Sequence, residues 1–315
     1  MRTRRIGTLE VSVVGLGCNN FGGRIDADAT DAVVGAALDE GITLYDTADV
    51  YGDTRSEELL GRALGRHRDE VVIATKFGIA RGELTGGASP QYVRTAAEAS
   101  LRRLGTDYID LYQLHRPDPE VPIADTLGAL AELVEAGKVR EIGCSNFDAG
   151  QLDEAAATAS ERGFAAFASV QNHYSLLERE PEVEVLDACA RLGLGLLPYF
   201  PLANGLLTGK YRPGEPPPDG SRLAEDDERR KREMSDERMA VVARLAEVAA
   251  SVPCTLVELA FAWLLSHDAV PSVIAGATRP EQVRQNAATA DVELNANVLE
   301  RIDEIAPRAP GGSDR

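Results

Sequence analysis

An aspartate and a tyrosine stand five residues apart in the stretch Gly41-Ile-Thr-Leu-Tyr-Asp-Thr-Ala-Asp-Val-Tyr-Gly52, just beyond a short apolar run. The next two comparable apolar runs end in Lys76 and His115. Asp46, Tyr51, Lys76 and His115 together form an acid/base set. A free phenol, with a pKa of about 10, is a poor proton donor to a carbonyl at neutral pH. A buried lysine beside Tyr51 favours the phenolate and draws the tyrosine toward working pH. Asp46 can keep that lysine charged and in place, and His115 can donate a hydrogen bond to a substrate oxygen. The set suits giving a proton to an oxygen while another agent attacks the carbon. Taken singly, each residue also has an ordinary reading: a turn aspartate, a solvent-reaching lysine, a structural histidine. Their coincidence on consecutive strand ends is what singles them out.

Such side chains need a scaffold that brings strand ends together. Residues 3 to 12 alternate around Gly7-Thr8 and read as a small hairpin. From Val13 the chain alternates strand and helix. Strands are predicted over 13–17, 42–45, 71–76, 108–115, 139–144, 167–173, 193–201 and 271–277. Helices are predicted over 30–39, 56–64, 91–103, 123–136, 149–160, 181–192 and 280–288, with one more at 298–305. Eight strands alternating with helices point to a closed parallel (β/α)8 barrel of the TIM type, with all strand C-terminal ends on one face. An open doubly wound sheet would carry Gly-x-Gly-x-x-Gly after its first strand, and Gly15, Gly17, Gly22 and Gly23 do not have that spacing. One α/β barrel domain accounts for residues 1–315. A proline-rich excursion, residues 206–236, lies on the active face as a lid or a surface loop. Its charged stretch 225–232 reads as a solvated helix face, and residues 309–315 as a loose tail.

At 315 residues with 44% hydrophobic and 27% charged residues, the chain can build a large core. A formal charge of −18 argues against nucleic acids or anionic membranes as partners, which require a basic surface, and leaves room for a local basic pocket for a phosphorylated cofactor. No apolar run reaches membrane-span length and no signal-peptide pattern follows the N-terminus, so a cytoplasmic protein is expected. Cys18, Cys144, Cys189 and Cys254 are widely spaced and read as small buried hydrophobes. Metal is not expected. A metal-dependent barrel hydrolase needs several His and carboxylate ligands at strand ends, and His67 and His267 fall in or beside helices.

The segments that carry these residues resemble the aldo-keto reductases, barrel oxidoreductases that use a nicotinamide cofactor without a Rossmann domain. The resemblance runs from Leu9 to Asn286. It rests on Gly41-x3-Tyr-Asp-Thr-Ala-x2-Tyr-Gly52, Ser56-Glu-x2-Leu-Gly61, Ile73-Ala-Thr-Lys76 and Asp110-Leu-Tyr-x2-His115. It implies that Tyr51 is the proton donor, with Lys76, Asp46 and His115 in the family's supporting roles. Gly143-Cys-Ser-Asn146 resembles the family's Gly-x-Ser-Asn, which places Ser145 and Asn146 on the nicotinamide carboxamide, together with Gln171. Tyr199 matches the aromatic residue that stacks on the nicotinamide ring. Phe200, Pro201, Leu202, Asn204, Gly205 and Lys210 follow the family's Tyr-Ser-Pro-Leu run toward its pyrophosphate lysine. Phe200 replaces the usual serine, so a hydrogen bond to the phosphate is lost or supplied by backbone.

After the eighth strand, Gly276-Ala-Thr-Arg-Pro-Glu-Gln-Val-Arg-Gln-Asn286 resembles the adenine-end motif. It adds Gly276, Thr278, Arg279, Gln282 and Asn286, and Asp46 is counted with the cofactor residues too. Many members carry a lysine at Gly276. Its absence leaves Arg279 as the cation for a 2′-phosphate, which favours NADP(H) over NAD(H). Asn20 and Phe21, with Tyr51 and His115, are expected to wall the pocket for a small-molecule carbonyl substrate. The resemblance thus implies NADPH-dependent reduction of an aldehyde or ketone. The alternative is a cofactor-binding regulatory subunit of the channel beta-subunit type without significant turnover. The intact four residues, and no obvious interaction extension, place it second.

Overall fold

The computed structural model describes residues 1–82, 84–212 and 214–308. The tail expected at 309–315 lies outside the described residues. Eight parallel strands form one sheet in the order eighth, first, second and on to seventh, so first and last strands are neighbours. They are Val14–Gly17, Leu44–Asp46, Val72–Phe77, Ile109–Leu114, Val139–Ser145, Phe167–His173, Gly195–Tyr199 and Val273–Gly276. The eighth strand pairs with the first through Val273–Val14 to Gly276–Gly17. At the remaining seam, Leu196 N–H donates to Ala269 O at 2.7 Å. Helices flank each step, and the strand ends converge on one mouth as expected of a (β/α)8 barrel.

The opposite end is plugged. Strands Thr3–Ile6 and Leu9–Ser12 pair antiparallel around Gly7-Thr8. Their Ile6, Leu9 and Val11 pack with Leu44, Val72, Ala74, Leu111, Ala168, Leu197 and Ile274 in the barrel interior. The turn is held from the barrel rim, where Glu141 Oε1 accepts from Thr8 N–H (2.8 Å) and Thr8 Oγ (2.6 Å). The larger core lies between the outer faces of the strands and the helices.

Between the seventh and eighth strands the chain forms a short 3-10 segment, Ala203–Thr208, and three helices: Asp227–Glu233, Asp236–Ala250 and Leu256–Leu265. The first agrees with the charged helix face expected there. The second carries an ordinary apolar stripe, Met239, Val242, Leu245, Val248 and Ala249, that the sequence reading passed over; the third has none. Leu256–Leu265 reads Leu-Val-Glu-Leu-Ala-Phe-Ala-Trp-Leu-Leu, with only Glu258 less than buried, so hydrophobic periodicity cannot mark it. Its start is nonetheless signed by a capping box between Thr255 and Glu258.

Candidate active site

Lys76 is fully buried on the third strand and its ammonium points into the mouth. Nζ donates to Asp46 Oδ2 at 2.7 Å and to Thr47 O at 2.9 Å, and stands 3.5 Å from Tyr51 Oη. The other Asp46 oxygen accepts from Gln171 Nε2 (2.9 Å) and Gln113 Nε2 (3.4 Å). Both carboxylate oxygens are therefore bonded, as a buried charge requires. His115 follows the fourth strand, its N–H on Phe77 O at 2.8 Å, with its ring edge-on to Tyr51 at 6.0 Å.

Burial raises the Tyr51 pKa above its ordinary value; Lys76 opposes this without overcoming it. Lys76 does pull Tyr51 toward neutral pH, as expected, but burial outweighs that pull and Tyr51 rests protonated. Burial also opposes the charge on Lys76, but Asp46 and Tyr51 outweigh it and its pKa rises. His115 is lowered to about 3, first by burial, then by Lys76 and Arg116. It is a neutral imidazole at physiological pH, able to donate without carrying charge.

The mouth opens into a cavity of about 1020 Å³. Asp46, Tyr51 and His115 line it, as do Ser145, Asn146, Gln171, Tyr199, Phe200, Pro201, Leu202, Asn204, Gly205, Lys210, Gly276, Thr278, Arg279, Gln282 and Asn286. Lys76 acts from behind Asp46 and Tyr51 and does not itself line it. An amide cluster ties four strand ends together. Ser145 Oγ donates to Gln171 O (2.7 Å), Asn146 Nδ2 to His115 O (2.9 Å), and Tyr199 Oη to Asn146 Oδ1 (2.9 Å). The Tyr199 ring is backed by His173, near-parallel at 5.2 Å. At the other end, Thr278 N–H donates to Gln282 Oε1 at 2.8 Å, shaping the turn before helix Pro280–Ala287. Phe200 has φ +52°, a left-handed backbone rare for a bulky residue; such strain concentrates at ligand sites.

One placement differs from expectation. Phe21 is fully buried in the outer core and does not line the cavity. Asn20 does line it, and its Nδ2 donates to Ala277 O at 3.2 Å, just past the eighth strand. Near His115 the wall is made by Ile79, Arg116 and Pro117. Sequence reading also missed Arg222, whose guanidinium donates to Asn20 Oδ1 (3.2 Å) and lies 5.5 Å above the Phe200 ring. With Arg24, which donates to Gly220 O (2.8 Å) and Glu225 (2.9 Å), it draws the excursion across the cavity to the first strand's loop. A long proline-rich loop with several arginines gives no local signal that singles out Arg222. Cys18 and Cys144 are buried with thiol pKa values pushed well up.

Behind the wall lies a second set of buried charges. Glu57 accepts from Thr75 Oγ and Arg103 Nε, both at 2.6 Å. Asp110 accepts from Ile73 N–H (3.0 Å), Arg68 (2.8 Å) and Arg140 (2.8 Å). Two motif glycines have steric roles. A Cβ on Gly52, at φ +58°, would meet Phe21 O at 2.3 Å, and one on Gly61 would meet Leu104 O at 2.2 Å. Among the described residues, no group of three or more His, Cys, Asp or Glu gathers as metal ligands. None of the described helices is long and apolar enough to cross a membrane.

A parallel barrel whose mouth gathers a tyrosine, a lysine–aspartate pair and a neutral histidine beside a long cation-lined cavity defines an oxidoreductase class. The profile of the aldo/keto reductase family matches residues 13–307, and the chain belongs to that family. Its members act on small carbonyl compounds and generally use NAD(P)H. The chain is 38% identical to a probable aldo-keto reductase 1 of Glycine max, over 96% of this chain and 88% of that one. It is 34% identical to a probable voltage-gated potassium channel subunit beta of Arabidopsis thaliana, over 96% and 95%. A protein of the same description from Oryza sativa subsp. japonica is also 34% identical, over 92% and 91%.

Proposed function

We propose that this protein reduces an aldehyde or ketone to an alcohol with NADPH, reversibly, with Tyr51 as the general acid and base. The observation that carries the reading is Lys76 Nζ standing between Asp46 Oδ2 (2.7 Å) and Tyr51 Oη (3.5 Å) at the floor of the cavity. The fit to a dinucleotide rests on features at both ends. Tyr199 offers a ring face backed by His173, and Lys210, Arg222 and Arg279 supply cations toward the helix at Pro280. Asn204 Oδ1 and Ser221 Oγ are buried polar atoms of the lining without partners among the described residues. When bound, the reduced nicotinamide supplies hydride to the carbonyl carbon. His115 donates to the carbonyl oxygen and orients it. Tyr51 gives that oxygen its proton, and the phenolate left behind faces the Lys76 cation, which Asp46 holds. Residues 206–236 act as a lid over the cofactor.

Tyr51→Phe should leave cofactor affinity in place while carbonyl reduction falls by about two or more orders of magnitude, as loss of a general acid gives. Undiminished turnover would remove Tyr51 from the mechanism. Fluorescence titration should give tighter binding of NADPH than of NADH, and Arg279→Ala should weaken NADPH much more than NADH. Equal losses would mean that Arg279 does not reach the 2′-phosphate. A cofactor-binding regulatory role, suggested by the relatives named as channel subunits, stands second, since the full acid/base set is assembled. Cofactor binding without turnover of any aldehyde would reverse that order.

A further inference from the structure

The chain carries a net charge of −18, yet its cavity is lined by Arg24, Arg116, Lys210, Arg222 and Arg279 and by a single acid, Asp46, already paired with Lys76. These cations are not equivalent. Lys210, Arg222 and Arg279 belong to the excursion and the turn after the eighth strand, where a phosphorylated cofactor would need them. Arg24 is committed to Gly220 O and Glu225. Arg116 is different in place and in company. It follows His115 directly, on the rim of the fourth strand. Its charge reaches two rings of the mouth, acting against protonation of His115 and against the upward shift of Tyr199. Among the described residues its guanidinium has no ion pair and no hydrogen bond, and it is exposed.

The backbone beneath it is fixed. His115 N–H is bonded to Phe77 O, Pro117 restricts the next step, and Asp118 accepts from Ala88 N–H (2.8 Å) and Glu120 N–H (3.0 Å). The nearest acid in sequence is thereby occupied with backbone and does not neutralise Arg116. A guanidinium on a fixed backbone, unpaired among the described residues and beside a histidine that would bind the carbonyl, suits a carboxylate on the same substrate.

We propose that Arg116 sets substrate class: it selects small aldehydes or ketones that carry a carboxylate a few bonds from the carbonyl. The proposal rests on the carbonyl-reductase reading above. Arg116 holds the anion, His115 and Tyr51 meet the carbonyl oxygen, and the neighbouring Ile79 and Pro117 cover the short aliphatic link.

The test compares 4-oxobutanoate with its methyl ester, using the whole chain with saturating NADPH at low ionic strength. The expected result is kcat/KM higher for the carboxylate by about ten-fold or more, expressed mainly in KM and narrowing as salt is added. Arg116→Gln should bring the ratio of the two substrates close to one, Arg116→Lys should keep part of it, and Arg116→Glu should invert it. A wild-type protein that reduces both equally, or a ratio unmoved in Arg116→Gln, would overturn the assignment of Arg116 and leave the reductase reading standing. Failure to reduce either compound while an uncharged aldehyde is turned over would overturn this proposal alone; failure with all three would strike the reductase reading as well.

Discussion

Two groups of buried charges stand a few residues apart in this barrel and serve different ends. At the mouth, Asp46 and Lys76 face a cavity, and Lys76 has Tyr51 within reach. Behind the wall, Glu57 with Arg103, and Asp110 with Arg68 and Arg140, are sealed between strands and helices. The strand pleat separates them: Thr75 turns outward to Glu57 while its neighbour Lys76 turns inward to Asp46. Both groups are fully hydrogen-bonded, so satisfaction alone does not mark a catalytic charge. What distinguishes the mouth is a titratable neighbour with access to a ligand. Asp49 falls between the two groups. Its carboxyl is buried, neither oxygen has a partner among the described residues, and burial followed by Glu57 raises its pKa to about 7.

The sharpest way to break this division is Lys76→Met. Carbonyl reduction should fall by about a hundred-fold or more in kcat/KM, since the Tyr51 phenolate loses its counter-charge. A variant with near-normal turnover would make the mouth pair merely structural. Glu57→Ala tests the other side: it strands Arg103 and should cost about 3–5 kcal/mol in denaturant unfolding. Turnover per folded molecule should stay within a few-fold of wild type; a collapse of kcat with stability intact would merge the two groups.

Asp49→Asn gives a smaller, pH-dependent effect. Between the ordinary carboxyl value of 3.8 and about 7, the unfolded chain ionises while the folded chain keeps its proton. Wild-type stability therefore falls as pH rises through that window and levels off above it. The variant should gain little at pH 4 and about 2–4 kcal/mol at pH 8 relative to wild type. A gain confined to acid pH would contradict the raised carboxyl. The smallest expected signal is a negative one. With His115 lowered to about 3, kcat/KM should show no step near pH 6.5 from that residue, and His115→Asn should not change the shape of the profile there.

The barrel was legible because its signal is repetitive: strands and helices alternate, and the glycines and caps punctuate them. Asp46, Lys76 and His115 were legible because each ends or directly follows an apolar run, and Tyr51 because it stands in the loop five residues after Asp46. The family stretches also contain Glu57, Asp110, Gly52 and Gly61, whose work in the wall only coordinates reveal. A buried carboxylate that meets an arginine from 30 or more residues away leaves no local pattern. The same holds for Arg222, and for helix Leu256–Leu265, which is apolar on all sides. Phe21 was misplaced because its position after the first strand suggests the mouth, while the turn of the chain sends its ring outward into the core.

The apolar plug has a consequence for how the chain assembles. Ile6, Leu9 and Val11 precede every barrel strand in the chain, but the interior they fill is completed by Leu197 and by Ile274 on the eighth strand. The ladder that closes the barrel, Val14–Val273 onward, joins the most distant strands in sequence. Closure therefore carries a large loop entropy and a high contact order. Until the eighth strand arrives, the hairpin holds three apolar side chains without their final partners, so the nascent barrel is most prone to aggregation just before that strand pairs.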